Sequence, residues 1–186
     1  APQALARLAA LNAALGGWMV VVDNPALVAR LSEAARASGR PLKVLVDLDP
    51  GLHRTGIRPG EDAYALAARV AADPHLAFEG VQSYAGQIMH IGDAAERAAK
   101  AEAVTRLVAG ARDELTRRNL PPRIVTGGGT GTVALDPGGG VFTELQAGSY
   151  VFMDREYNEV WEKGGERAPF ETSLFVQTTV ISAALP

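Results

Sequence analysis

The stretch of this 186-residue chain best suited to hold an anion is Thr126-Gly127-Gly128-Gly129-Thr130-Gly131-Thr132. Consecutive glycines let the backbone turn through positive φ and approach a ligand closely. Successive N–H groups in such a loop form an anion-binding concavity, and Thr130 and Thr132 add hydroxyl donors. A phosphate is the guest this chemistry suits; a plain glycine turn is the other reading. No Gly-Lys-Ser/Thr follows, so the loop is not a P-loop, and the helix and later acidic residue of the dinucleotide fingerprint are missing. Asp47 and Asp49 alternate on one strand and so share a face, but one carboxylate pair without a third ligand is a weak metal signal.

The elements that must position this loop alternate between helix and strand. Leu5, Leu8, Leu11 and Leu15 recur at helical spacing up to Gly16-Gly17. Trp18 to Val22 is a continuous apolar run, the pattern of a strand buried on both faces. Asn24-Pro25 then opens a helix as N-cap and first residue, with Leu27, Val28 and Leu31 along it and Gly39 as its stop. Leu42 to Asp49 reads as a second strand, Asp62 to Ala72 as a helix, Phe78 to Tyr84 as a third strand and Asp93 to Arg118 as a long helix. Arg123 to Thr126 leads into the glycine loop, and Phe142 to Gln146 is a fifth strand. Short connections between alternating strands and helices predict a parallel sheet with helical cover. Such a sheet is either open and doubly wound or part of an eight-strand barrel. A barrel collects its chemistry beyond the C-terminal strand ends, and Asp23, Asp49 to Arg54, Tyr84 to His90, the glycine loop and Gln146 to Ser149 all fall there. From Asp154 to Pro169 the chain reads as a polar loop, and Ser173 to Ile181 as a strand opening a second, β-type domain.

Composition narrows the class. Apolar residues are 47% and charged residues 21%, ordinary for one globular domain. A net charge of −3 and a pI near 5.6 argue against nucleic-acid binding. Absence of cysteine excludes thiolate metal sites and disulfides. No apolar stretch reaches membrane-spanning length. The chain begins Ala1-Pro2-Gln3-Ala4, without Met or a signal-peptide layout, which predicts a piece of a longer protein.

Several motifs carry a family likeness. Asp47-Leu48-Asp49-Pro50-Gly51-Leu52-His53-Arg54-Thr55-Gly56-Ile57 resembles the arginine loop of alanine-racemase-type barrels, which bind pyridoxal phosphate. Tyr84-Ala85-Gly86-Gln87-Ile88-Met89-His90, the glycine loop, and Thr143 through Asp154 narrow the resemblance to D-threonine aldolases and their D-serine dehydratase relatives. The likeness implies an α/β fold in which residues 1–154 form about strands 4 to 8 of a (β/α)8 barrel. Residues 155–186 would then be a linker and the first strand of a C-terminal β domain. It also implies that the Schiff-base lysine lies upstream and the divalent-metal ligands downstream, so that this piece alone should not turn over. The implied substrate is a small D-3-hydroxy amino acid, cleaved to glycine and an aldehyde. Neither nucleic acid nor a membrane is implied as partner; a homo-oligomer is compatible, and the location implied is cytoplasmic. The alternatives are β-elimination by a D-serine or 3-hydroxyaspartate dehydratase, and a non-catalytic barrel that only carries the cofactor.

The resemblance also assigns roles. Arg54 would bind the cofactor phenolic oxygen or Tyr84, where a planar donor fork suits an oxyanion; otherwise it is a surface arginine. Tyr84 would lie against the cofactor ring, or merely pack the barrel rim. His90 would take the proton of the substrate 3-hydroxyl, or be one more polar loop residue. Gln146 stands where racemases have arginine facing the pyridine nitrogen, and a neutral amide there would leave that nitrogen less positive. Gly128, Gly129, Thr130 and Gly131, with Gly148 and Ser149, would hold the phosphate; a left-handed turn at Gly148 is the bland alternative.

Overall fold

A computed structural model describes residues 2–183. Five strands form one sheet in the order β1-β2-β3-β4-β5, every neighbouring pair parallel. They are β1 (Met19–Val22), β2 (Leu42–Asp47), β3 (Leu76–Ser83), β4 (Ile124–Gly127) and β5 (Glu144–Leu145). Helices α1 (Pro2–Leu15), α2 (Pro25–Ser38), α3 (Glu61–Ala71) and α4 (Ala94–Arg117) precede or connect them. The strictly sequential order decides between the two architectures left open by the sequence. A doubly wound sheet reverses direction at a switch point; this one never does. Right-handed crossovers in a single direction put the connecting helices on one face, the winding of a (β/α) barrel.

Local chemistry sets the helix ends. Asn24 Oδ1 accepts from the Ala26 N–H at 2.9 Å and opens α2, which Gly39 closes at φ 69°. Asp93 Oδ1 accepts from the Glu96 N–H at 2.8 Å and opens α4. The core lies between sheet and helices: Val22, Val44, Val46, Val81 and Val125 pack with Val28, Leu31, Leu66, Val70, Val108 and Leu115. Val46, Val81 and Val125 are in register and face this core. The next residues along, Asp47, Gln82, Thr126 and Glu144, are therefore in register on the other face, and form a polar row across four strands. A bulge makes this possible: β3 slips by one residue between its pairs Val44–Phe78 and Leu45–Gly80. Gly80, at φ 151°, lies so close to β4 that a Cβ there would collide with the Ile124 carbonyl.

Three expectations are corrected. Residues 155–163 are not loop but a fifth helix, α5 (Arg155–Lys163), capped by Asp154, whose Oδ1 accepts from the Tyr157 N–H at 2.9 Å. Its charged residues made it look like a loop, but Tyr157, Val160 and Trp161 bury one stripe at helical spacing. Strand β1 is not buried on both faces: it is an edge strand paired only with β2, and Met19 and Val21 remain exposed. Ser173 to Ile181 forms no strand, because a β-prone run needs a ladder partner and it finds none among the described residues. Among those residues no helix is long and apolar enough to cross a membrane.

Candidate cofactor site

The loop after β2 is braced at both ends, which fixes where Arg54 stands. Asp49 Oδ1 accepts from the N–H groups of Gly51 at 2.9 Å and His53 at 3.0 Å, and its Oδ2 lies 2.8 Å from His53 Nδ1. Burial pulls the Asp49 carboxyl upward, but those two N–H groups and the imidazole outweigh it and hold it below its ordinary value. The Gly56 N–H donates to Asp23 at 3.0 Å, and Ile57 returns to the strand end through its N–H to the Asp47 carbonyl at 2.9 Å. Arg54, at the tip, places its guanidinium 5.2 Å from the centroid of the Tyr84 ring. Gln87 Nε2 donates to the Pro50 carbonyl at 3.3 Å and ties this loop to the one after β3.

The glycine loop follows β4 and lies against the same tyrosine. At Gly129 a Cβ would press on Met89 Sδ at 2.7 Å and touch Tyr84 Cε2 at 3.4 Å, so the loop backbone lies close against both side chains. The loop is buried from Gly127 to Thr132, whereas Gly148 and Ser149 are exposed and form its rim. The Tyr150 N–H donates to Thr130 Oγ1 at 3.1 Å and joins rim to loop. Among the described residues the buried N–H groups of Thr130 and Gly131 have no protein partner. Buried donors are normally satisfied, and an anion would satisfy these. Gly148 has φ −121°, so it is not a left-handed turn. Thr132, offered by the sequence as a hydroxyl donor, instead donates to Asp136 Oδ2 at 2.6 Å.

Gln146 directly follows β5, and its own N–H donates to the Gly127 carbonyl at 2.8 Å. Its Nε2 donates to Thr126 Oγ1 at 3.1 Å, and that hydroxyl donates to Glu144 Oε1 at 2.9 Å. At the other end of the polar row, Gln82 Nε2 donates to Asp47 Oδ1 at 3.2 Å. Burial raises the Asp47 carboxyl above its ordinary value; hydrogen bonds from Thr55 and Gln82 only partly offset this, and Asp23 adds repulsion.

His90 is exposed and lies against α5, its ring centroid 4.6 Å from that of Tyr157 and its Nε2 3.9 Å from Glu156 Oε2. It reaches the other residues through Tyr157, a buried phenol near the Ser149 side chain and Tyr84. Burial pushes the Tyr157 phenol up, and the Ser149 side chain offsets part of that. Buried Arg97 fixes the His90 loop: its Nη1 donates to the Ile91 carbonyl at 2.6 Å, its Nη2 pairs with Glu166 at 3.0 Å, and it stacks over Trp161 of α5.

The fold thus brings Arg54, Tyr84, Gly129, Thr130 and the Gly148–Ser149 rim to one end of the sheet, with Gln146 tied to β4 and His90 at the margin. Sequence reasoning missed Tyr157, Arg97, Asp136 and the polar row. The buried stripe of α5 could have revealed Tyr157; no local signal marked the others. A planar ligand with a phosphate fits these groups: unpartnered buried N–H donors at the loop, a cation beside an aromatic ring, and an amide at the end of the next strand. A metal does not fit, since no cluster of three His, Cys, Asp or Glu residues occurs among the described residues.

Residues 4–156 match the family model described as alanine racemase, N-terminal domain. The chain is 37% identical to 3-hydroxy-D-aspartate aldolase of Paracoccus denitrificans (strain Pd 1222), over 100% of this chain and 49% of the relative. It is 39% identical to D-threonine aldolase of an Arthrobacter species, over 90% of this chain and 44% of the relative. The crystal structure of D-threonine aldolase from Filomicrobium marinum superposes with a TM-score of 0.82 at 39% identity, covering 86% of this chain and 43% of that one. The chain spans about half the length of the curated relatives it matches. With winding, strand-end loops and family model in agreement, the chain belongs to the alanine racemase N-terminal domain family.

Proposed function

We propose that the full-length protein carrying this chain is a pyridoxal-phosphate-dependent lyase that cleaves D-threonine or a related D-3-hydroxy amino acid to glycine and an aldehyde. One observation carries the reading: Arg54, Tyr84 and the glycine loop, from three different strands, meet at one end of the sheet. The relatives are named aldolases, which favours cleavage over elimination. When bound, the cofactor supplies the electron sink for the broken Cα–Cβ bond. The chain's own residues do the rest. The N–H groups of Thr130, Gly131, Gly148 and Ser149 bind the phosphate, and glycine at 128 and 129 keeps the approach open. Tyr84 packs against the ring, and Arg54 offers its donor fork to the phenolic oxygen. Gln146 presents a neutral amide to the ring nitrogen. His90 accepts the proton of the substrate 3-hydroxyl. No metal ligand set occurs among the described residues; a divalent metal would take its ligands from outside this chain and would polarise the substrate 3-hydroxyl. Residues 1–154 form the cofactor-binding unit, and 155–186 lead to a second domain in which Ser173 to Ile181 would gain a strand partner.

The test is an assay of the full-length protein with D-threonine. Glycine and acetaldehyde are expected, and His90→Ala should lower turnover while the bound-cofactor absorbance persists. Formation of 2-oxobutanoate would overturn cleavage in favour of elimination. Cofactor binding without either product would identify a non-catalytic carrier.

A further inference from the structure

We infer that Asp136 is a positioning residue for the glycine loop: its carboxyl group holds Thr132 and backs Gly128, so that the Thr130 and Gly131 N–H groups are left to receive a phosphate. This rests on the phosphate reading of the loop. Asp136 is 4% exposed and lies beyond the loop, in the turn that ends on Asp136–Gly139. Its Oδ2 accepts from the Thr132 hydroxyl at 2.6 Å, and its carboxyl lies behind the backbone of Gly128. At Gly128, φ 66°, a Cβ would strike the same carboxylate, so loop and acid are fitted to each other. Burial pushes the Asp136 carboxyl up, and the Thr132 hydroxyl and the neighbouring Gly129 N–H offset this only in part. An acid kept here at that cost marks a purpose in the loop's shape.

The consequence is a division of donors. Of the groups the loop could offer an anion, the Thr132 hydroxyl is consumed internally, whereas the Thr130 and Gly131 N–H groups are not. Thr130 and Gly131 lie in a 3-10 turn that the Thr132 N–H closes on the Gly129 carbonyl at 3.2 Å. Without Asp136, Thr132 would lose the acceptor that fixes the end of that turn and Gly128 its backing, and the free donors would lose their common aim.

The experiment measures dissociation constants of pyridoxal phosphate and of pyridoxal for the cofactor-stripped full-length protein. The two differ only in the phosphate, so the ratio of their constants isolates the phosphate contribution. Asp136→Ala should lower this ratio about tenfold, the scale of one lost charge-assisted hydrogen bond. Asp136→Asn, which keeps an acceptor, should restore most of it. If Asp136→Ala weakens both ligands equally, Asp136 is merely structural and the inference fails. Where that variant does not fold, Thr132→Val decides in its place: a lower ratio supports the inference and an unchanged ratio overturns it. Thr130→Pro, which removes the free N–H at the first position of the turn after an extended Gly129, separates the two readings. If it too leaves the ratio unchanged, the phosphate is not at this loop and both readings fall. If it lowers the ratio and Asp136→Ala does not, only the role of Asp136 is lost.

Discussion

At the scale of single residues, Asp47 shows how a site carries an internal cost. It sits in the polar row, buried, facing Asp23 and bonded to Gln82. Its folded pKa is raised, so its favourable contribution to stability is complete below the ordinary carboxyl value and is lost as pH rises through the folded one. Asp47→Asn has no such titration. The variant should therefore gain on the parent between about pH 4 and neutrality, read as the difference in denaturant midpoint at the two pH values. Parallel pH dependence of parent and variant would refute this account. The same scale explains why Arg54 and Tyr84 were legible and Asp136 was not. Arg54 and Tyr84 lie in motifs at strand ends, whereas Asp136 acts through bonds to residues whose contact with it depends on how the loop folds back.

At the scale of elements, the bulge in β3 governs the site. Gly80 lets β3 approach β4 closely enough to align Gln82 with Thr126 and Ser83 with Gly127. Gly80→Ala puts a methyl group into the Ile124 carbonyl at a positive φ that side chains resist. The variant should lose about 2–4 kcal/mol of stability and disturb the glycine loop that follows β4. A denaturation midpoint equal to that of the parent would show that the strands separate without cost. Helix α5 works at this scale too: the Arg97–Trp161 stack and the Tyr157–His90 contact tie the His90 loop to a helix that the sequence had presented as coil.

At the scale of the molecule, burial is uneven. The helix-covered face is a dense core, but Trp18, Met19 and Val21 are 42%, 40% and 45% exposed along the β1 edge, and Phe175, Val176 and Ile181 are 78%, 84% and 97% exposed in the tail. Apolar edges of this kind recruit other surfaces. The isolated 186-residue chain should therefore self-associate, and Val21→Lys with Ile181→Lys should reduce the associated fraction in size-exclusion chromatography with light scattering. A parent chain that stays monomeric at about 100 μM would contradict this, since transient apolar exposure already drives association at such concentrations.

The sequence by itself determined the succession of elements. The apolar runs at Val20 to Val22 and Val44 to Val46, the caps Asn24 and Asp93, and the stop at Gly39 are local signals, because propensity, capping and turn chemistry act over a few residues. Motif order carried the family likeness for the same reason. Only the tertiary structure decided that the strands run in sequential order, that β1 is an exposed edge, that Ser173 to Ile181 lies unpaired, and that Asp136 and Tyr157 enter the site. Each of these depends on which distant surface a residue meets. Pairing, burial and hydrogen-bond partners are set when packed elements compete for the same neighbours, and no local pattern records the outcome.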